Sequence, residues 1–280
     1  MRTVVAKPKA YLKKRVDEWL NKDVETYETI VPNDMEKLYK AIRKGDVVLI
    51  EGRVRLSQLI KVFTQSQWSH VVLYIGDELL KREPSRREEL IEKYGDYADK
   101  LIVEALVEDG MVTNPLEKYR HLNMRIARPV NISDADLDLV LRNVLNDLGK
   151  QYDRRNILDL ALQLLPLNFG LFKKKRVEIC IGACSDFQVI CSASIAKAFQ
   201  SVGFLIRPVV EQAVTRGDGS GETSDGPVFK MQHPSRIVPR DFDLSPNFDI
   251  IKFLRSPEGG SAVMSKTPLV PISRVAVDRH

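Results

Sequence analysis

Apolar positions along the chain follow two periods, and the periods divide it into strands and helices. Short apolar runs bounded by glycine, proline or charge predict strands at 47–50, 68–75, 101–106 and 124–128. Residues 110–113 read as a hairpin partner for 101–106, and 248–254 as the final strand. The strand period of two puts His70 on the same side as Trp68, Val72 and Tyr74. Helical spacing appears over 55–63 (Leu56, Leu59, Ile60, Phe63) and over 156–165 (Ile157, Leu160, Ala161, Leu164). It recurs over 191–203 in Ile195, Ala198, Phe199 and Val202. A longer stripe from Leu137 to Leu148 starts after a cap at Ser133-Asp134-Ala135-Asp136 and stops at Gly149. Asn114-Pro115 predicts a short helix to Tyr119.

The remaining stretches are polar or peripheral. Residues 81–100 are heavily charged and predict a solvated insertion between two strands. Residues 211–235 are polar and glycine-rich, which predicts a mobile surface loop. Three regions follow: an N-terminal helical extension (1–40), a main domain (41–255) and a flexible tail (256–280). The extension includes a short helix at 34–42 with Met35, Leu38, Tyr39 and Ile42 on one face. It reads either as a cap over the main domain or as an arm that holds a partner subunit in a dimer.

Composition narrows the class. The 280 residues are 44% hydrophobic and 29% charged, as in ordinary globular proteins. No stretch approaches 18 consecutive apolar residues, and the N-terminus lacks an apolar signal core, so neither a membrane span nor a signal peptide is expected. The net charge of +5 is scattered and specifies no nucleic acid. The basic run 173–176 lacks interleaved aromatics, and no glycine-rich nucleotide loop follows a strand, so no cofactor is expected. Three cysteines give no even disulfide framework, which points to a reducing compartment and a cytoplasmic protein. Cys180, Cys184 and Cys191 contain no close Cys-x2-Cys pair, which argues against zinc. Cys180 and Cys184 read as core thiols, or one of them as a resolving thiol for Cys191.

Cys191 opens the helix 191–203, with Ser192 and Ser194 able to cap its first turn. Unpaired N–H groups there favour thiolate. The alternative is a small buried hydrophobe. Of four histidines, His121, His233 and His280 fall in polar loops or at the chain end, whereas His70 lies in a core strand. Glu104 interrupts an apolar run. Thiol acyl transfer needs a thiolate, an imidazole and a polar group that orients the imidazole. Cys191, His70 and Glu104 supply those types, and they converge if the helix start packs against the sheet.

Several fragments occur in a telling order: 45–49 (GDVVL), 68–76 (WSHVVLYIG), 103–105 (VEA) with 110–112 (GMV), 149–153 (GKQYD) and 191–195 (CSASI). Together they resemble the NlpC/P60 superfamily, in its circularly permuted papain-like branch of YiiX/YebB-like hydrolases, neighbours of the lecithin:retinol acyltransferases. The resemblance spans roughly 40–255. It implies an α+β fold, an antiparallel sheet packed against helices, with the helical extension in front. It also implies His70 as base, Glu104 as orienter and Cys191 as nucleophile, with Tyr152 near the site as a hydrogen-bond donor or a packing residue. Many relatives carry Glu or Gln two residues after the nucleophile, where this chain has Ala193. The implied activity is cysteine-dependent amide hydrolysis on a peptide or conjugated protein. Lipid acyl hydrolysis or transfer and a catalytically silent binding module are the alternatives.

Overall fold

The computed structural model describes residues 18–19, 22–23, 33–106, 109–150, 191–211, 228–255 and 261–264. At residues 63, 191, 209–211, 228–229, 252–255 and 261–264 the description covers the backbone alone.

The strands are β1 (Val47–Glu51), β2 (His70–Gly76), β3 (Leu101–Leu106), β4 (Gly110–Pro115), β5 (Asn123–Pro129), β6 (Pro208–Glu211), β7 (Val228–Met231), β8 (Phe248–Arg255) and β9 (Ser261–Met264). Seven of them form one sheet in the order β4-β3-β2-β1-β5-β8-β9, with antiparallel neighbours throughout. Strands β6 and β7 form a separate antiparallel ribbon. The helices are α1 (Met35–Ala41), α2 (Arg55–Thr64), α3 (Glu78–Arg82), α4 (Arg87–Tyr94), α5 (Asp134–Asn146), α6 (Cys191–Gln200) and α7 (Pro239–Leu244). This is the expected α+β architecture of antiparallel sheet and packed helices. Among the described residues, no helix is long and apolar enough to cross a membrane.

Both faces of the central strands are covered, which explains why 47–50 is apolar at every position rather than at every second one. On one face Val47, Leu49, Val71, Leu73 and Ile75 pack with Val140 and Val144 of α5 and with Ile195, Ala196 and Phe199 of α6. On the other, Val48, Ile50, Val72 and Tyr74 pack with Met35 and Leu38 of α1 and with Leu116 and Tyr119. Phe199, Phe204, Phe242 and Phe248 form a chain of ring contacts with centroids 5.3–5.6 Å apart. That cluster ties α6 and α7 to β8, and each fully buried ring contributes about 2–3 kcal/mol.

Local chemistry sets the element ends. Asp34 caps α1 by accepting from the Lys37 N–H, and Ser133 caps α5 by accepting from the Asp136 N–H. The Gly45 turn has φ +86, and a Cβ there would come within 2.4 Å of Leu137. Next to it the buried Asp46 accepts two hydrogen bonds from Arg128, at 2.9 and 2.7 Å, and one from the Arg43 N–H at 2.8 Å. This ion pair pins the start of β1 to β5.

Four expectations need correction. Trp68 lies in the cluster of Val71 and Leu73, on the opposite side from Val72 and Tyr74, because β2 begins only at His70 and its alternation does not reach back. Strand β8 is not the last strand: β9, inside the region read as tail, pairs with it. The loop read over 211–235 contains β7, which pairs with β6. Pro115 precedes a 3-10 helix, Leu116–Tyr119, as its cap instead of standing within it. The three missed strands, β6, β7 and β9, are four residues each, too short for periodicity to register. The helix at 156–165, the basic run 173–176, and most of the N-terminal extension fall outside the described residues.

Candidate active site

His70 is the first residue of β2 and Glu104 the fourth of β3. The two strands pair with Leu73 opposite Val103 and Tyr74 opposite Ile102. Continuing that register sets Glu104 across from Val72, on the face His70 shares by alternation. His70 Nε2 and Glu104 Oε2 are 2.8 Å apart. Glu104 is fully buried, while the His70 side chain keeps 18% of its surface exposed. One group of the pair is thus sealed and the other reaches solvent.

A buried carboxylate needs partners, and Glu104 has four. Its Oε1 accepts from Asn114 Nδ2 at 2.8 Å and from Lys118 Nζ at 2.7 Å. Its Oε2 accepts from the Tyr119 hydroxyl in addition to facing His70. The Tyr119 ring lies tilted against the imidazole, centroids 6.1 Å apart. Burial by itself pushes the Glu104 carboxyl up. The hydrogen bond and charge of His70, then the Lys118 ammonium, more than reverse this and hold it at about 2. Glu104 is therefore ionised at neutral pH, and a positive imidazole beside it is stabilised.

Asn114, Lys118 and Tyr119 did not emerge from the sequence as site residues. Asn114 lies on the face of β4 that meets Glu104, since Glu104 pairs with Val112. Lys118 and Tyr119 arrive on the turn that follows. The only signal was the Asn-Pro start of that turn, which spoke of backbone shape and not of a carboxylate neighbour.

Cys191 opens α6, as expected, and its side chain lies outside the described residues. Helix α6 packs against β2 and β3, the strands of His70 and Glu104. Its apolar residues do so on the Val71–Leu73 face, whereas the His70–Glu104 pair projects from the other. His70 itself stands at the end of its strand. A run of contacts links the helix start to that end. The buried Ser192 hydroxyl, expected as a cap, donates to the Ile237 carbonyl at 2.5 Å. The next residue, Val238, is the N-cap of α7. From α7, Asp243 accepts from Trp68 Nε1 at 3.0 Å, two residues before His70. Arg125 holds the same carboxylate at 2.6 and 2.9 Å and lies 4.9 Å over the Trp68 ring. His70 and Glu104 are thus brought together, and Cys191 heads the helix that packs on the opposite face of their strands. Tyr152, Cys180 and Cys184 lie outside the described residues.

Residues 41–159 match the family described as permuted papain-like amidase enzyme, YaeF/YiiX, C92 family. The matched segment contains His70, Glu104, Asn114, Lys118 and Tyr119, and it ends before Cys191. No curated protein matches the chain significantly. Over residues 41–159, where the paired His70 and Glu104 reside, the chain is similar to the permuted papain-like C92 family of amidase enzymes.

Proposed function

We propose that the protein is a thiol amidase in which Cys191 is the nucleophile, His70 the general base and Glu104 the residue that orients the base. The observation that carries this reading is the sealed Glu104 carboxylate on His70 Nε2, in the two strands against which the helix opened by Cys191 packs. With Nε2 held by Glu104, Nδ1 of His70 takes the thiol proton. The Cys191 sulfur then attacks the amide carbon, and the carbonyl oxygen becomes an oxyanion that the Cys191 backbone N–H stabilises. The C–N bond breaks, the leaving amine takes the proton from the imidazolium, and a thioester remains. Water attacks the thioester with His70 accepting its proton. The carboxylic acid is released and the thiol reforms.

The substrate class is an amide in a peptide or a protein conjugate. The family description favours amide over ester, and the helix at 156–165 on which a lipid reading leans lies outside the described residues. Three cysteines without an even disulfide framework fit work in the reducing cytoplasm.

A library of amide and ester substrates, read out as acyl-enzyme mass, tests the proposal. The wild type is expected to accumulate a thioester on Cys191 with amides. Cys191→Ala abolishes turnover, and His70→Ala lowers it about 10²–10⁴-fold. Full turnover by Cys191→Ala would rule the mechanism out. Equal labelling of all three cysteines by a thiol probe would favour a silent binding module.

A further inference from the structure

A cleft of about 620 Å³ lies between α7 and the chain that follows α6, with Arg207, Arg236 and Arg240 among its lining residues. Thr64, Asp241 and Leu244 also contribute to its walls. Its charges do not balance. Asp241 is the one carboxylate in the lining, and it is already engaged: Oδ2 accepts the Val238 N–H at 2.8 Å, and Oδ1 faces Arg207 at 3.2 Å. Arg240 donates to the neutral Thr64 carbonyl at 3.3 Å and acts on Asp241 through charge alone, without a hydrogen bond to it. Among the described residues, Arg236 has no hydrogen-bonded carboxylate. Two guanidinium groups thus face a cleft with no carboxylate of their own in it. Planar guanidinium forks match phosphate and carboxylate oxygens in pairs. The cleft also borders the start of α6: Ile237, between the lining residues Arg236 and Val238, receives the Ser192 hydroxyl.

We propose that this cleft binds an oxyanion, a phosphate or a carboxylate, borne by the molecule on which the protein acts. That the anion belongs to a substrate rests on the thiol-amidase reading; the binding itself does not. The apolar surface of Leu244, which is well exposed, sets room beside the anion for an uncharged part of the same molecule.

Thermal unfolding of the full chain, in wild-type and Cys191→Ala forms, tests this. Sodium phosphate, sodium acetate and sodium chloride are titrated at matched ionic strength. Phosphate or acetate at about tenfold its dissociation constant is expected to raise Tm by about 2–4 °C beyond chloride. The larger response tells a phosphoryl ligand from a carboxylate. Arg236→Gln/Arg240→Gln removes the rise. Arg236→Lys/Arg240→Lys, which keeps the charge and loses the fork, removes most of it and serves if the glutamine protein does not fold. No rise beyond chloride with either anion, or a full rise in the lysine protein, would overturn the proposal. Binding that persists in Cys191→Ala while that protein keeps full turnover would leave the cleft standing and remove the thiol chemistry.

Discussion

Glu104 sits between an imidazole and an ammonium: Nε2 of His70 lies 2.8 Å from one carboxylate oxygen and Lys118 Nζ 2.7 Å from the other. The carboxylate is buried, so it depends on these partners to stay ionised.

This dependence predicts how stability responds to acid. Glu104 titrates at about 2 in the folded protein against 4.5 for an unperturbed carboxyl. A depressed folded value contributes stability that is complete above 4.5 and is lost as pH falls toward 2. The depression corresponds to about 3 kcal/mol. Glu104→Gln is expected to be less stable than wild type at pH 7 and to show a smaller loss of Tm between pH 4.5 and 2. Parallel Tm curves for the two proteins across that window would contradict the assignment.

Lys118 is the partner with the most exposure, 38% of its side chain, so its contribution is the more screened. Lys118→Met removes the ammonium and leaves the His70 contact. The Glu104 carboxyl then rises from about 2 toward its ordinary value, and the acid loss of stability shrinks and is complete at higher pH. At pH 7 the cost is expected to be about 1 kcal/mol. Carboxyl titration followed by isotope-edited NMR checks it: an unmoved Glu104 transition would show that the ammonium is not coupled to the site.

The sequence revealed the strands of this sheet more fully than it revealed the surroundings of Glu104. Runs such as 47–50 and 101–106 are apolar enough that no other element suits them, and His70 and Glu104 stand out against that background. The order of fragments tied the two residues together before any register was known. Asn114, Lys118 and Tyr119 stayed hidden because their nearness to Glu104 depends on the β3–β4 register and on the 3-10 turn after it, which adjacent residues do not encode. Trp68 misled for a related reason. Its place beside a β-rich run suggested that the alternation included it, but Ser66 and Asp243 hold it ahead of the strand, through its backbone N–H and indole N–H respectively.

Asp243 offers a test of how the start of β2 is tied to α7. Its carboxylate receives Trp68 Nε1 and two hydrogen bonds from one nitrogen of Arg125, so Asp243→Ala leaves an indole N–H and a partly buried guanidinium without their acceptor. Losing a charged partner of this kind costs about 2–3 kcal/mol. Arg125→Met removes the guanidinium and its packing over Trp68 together and is expected to cost about 2 kcal/mol. Because both changes break the same ion pair, the double variant should be destabilised by about 1 kcal/mol or more less than the sum of the singles. Urea unfolding of the four proteins measures this directly. If Asp243 also steadies the region between α7 and His70, Asp243→Ala slows thiol-probe labelling of Cys191 at a temperature where the protein stays folded, and Asp243→Asn, which keeps an oxygen for Trp68, restores part of the rate. Additive stabilities within about 0.3 kcal/mol would mean that the two side chains act independently. Unchanged labelling in Asp243→Ala would confine the cluster to a role in packing.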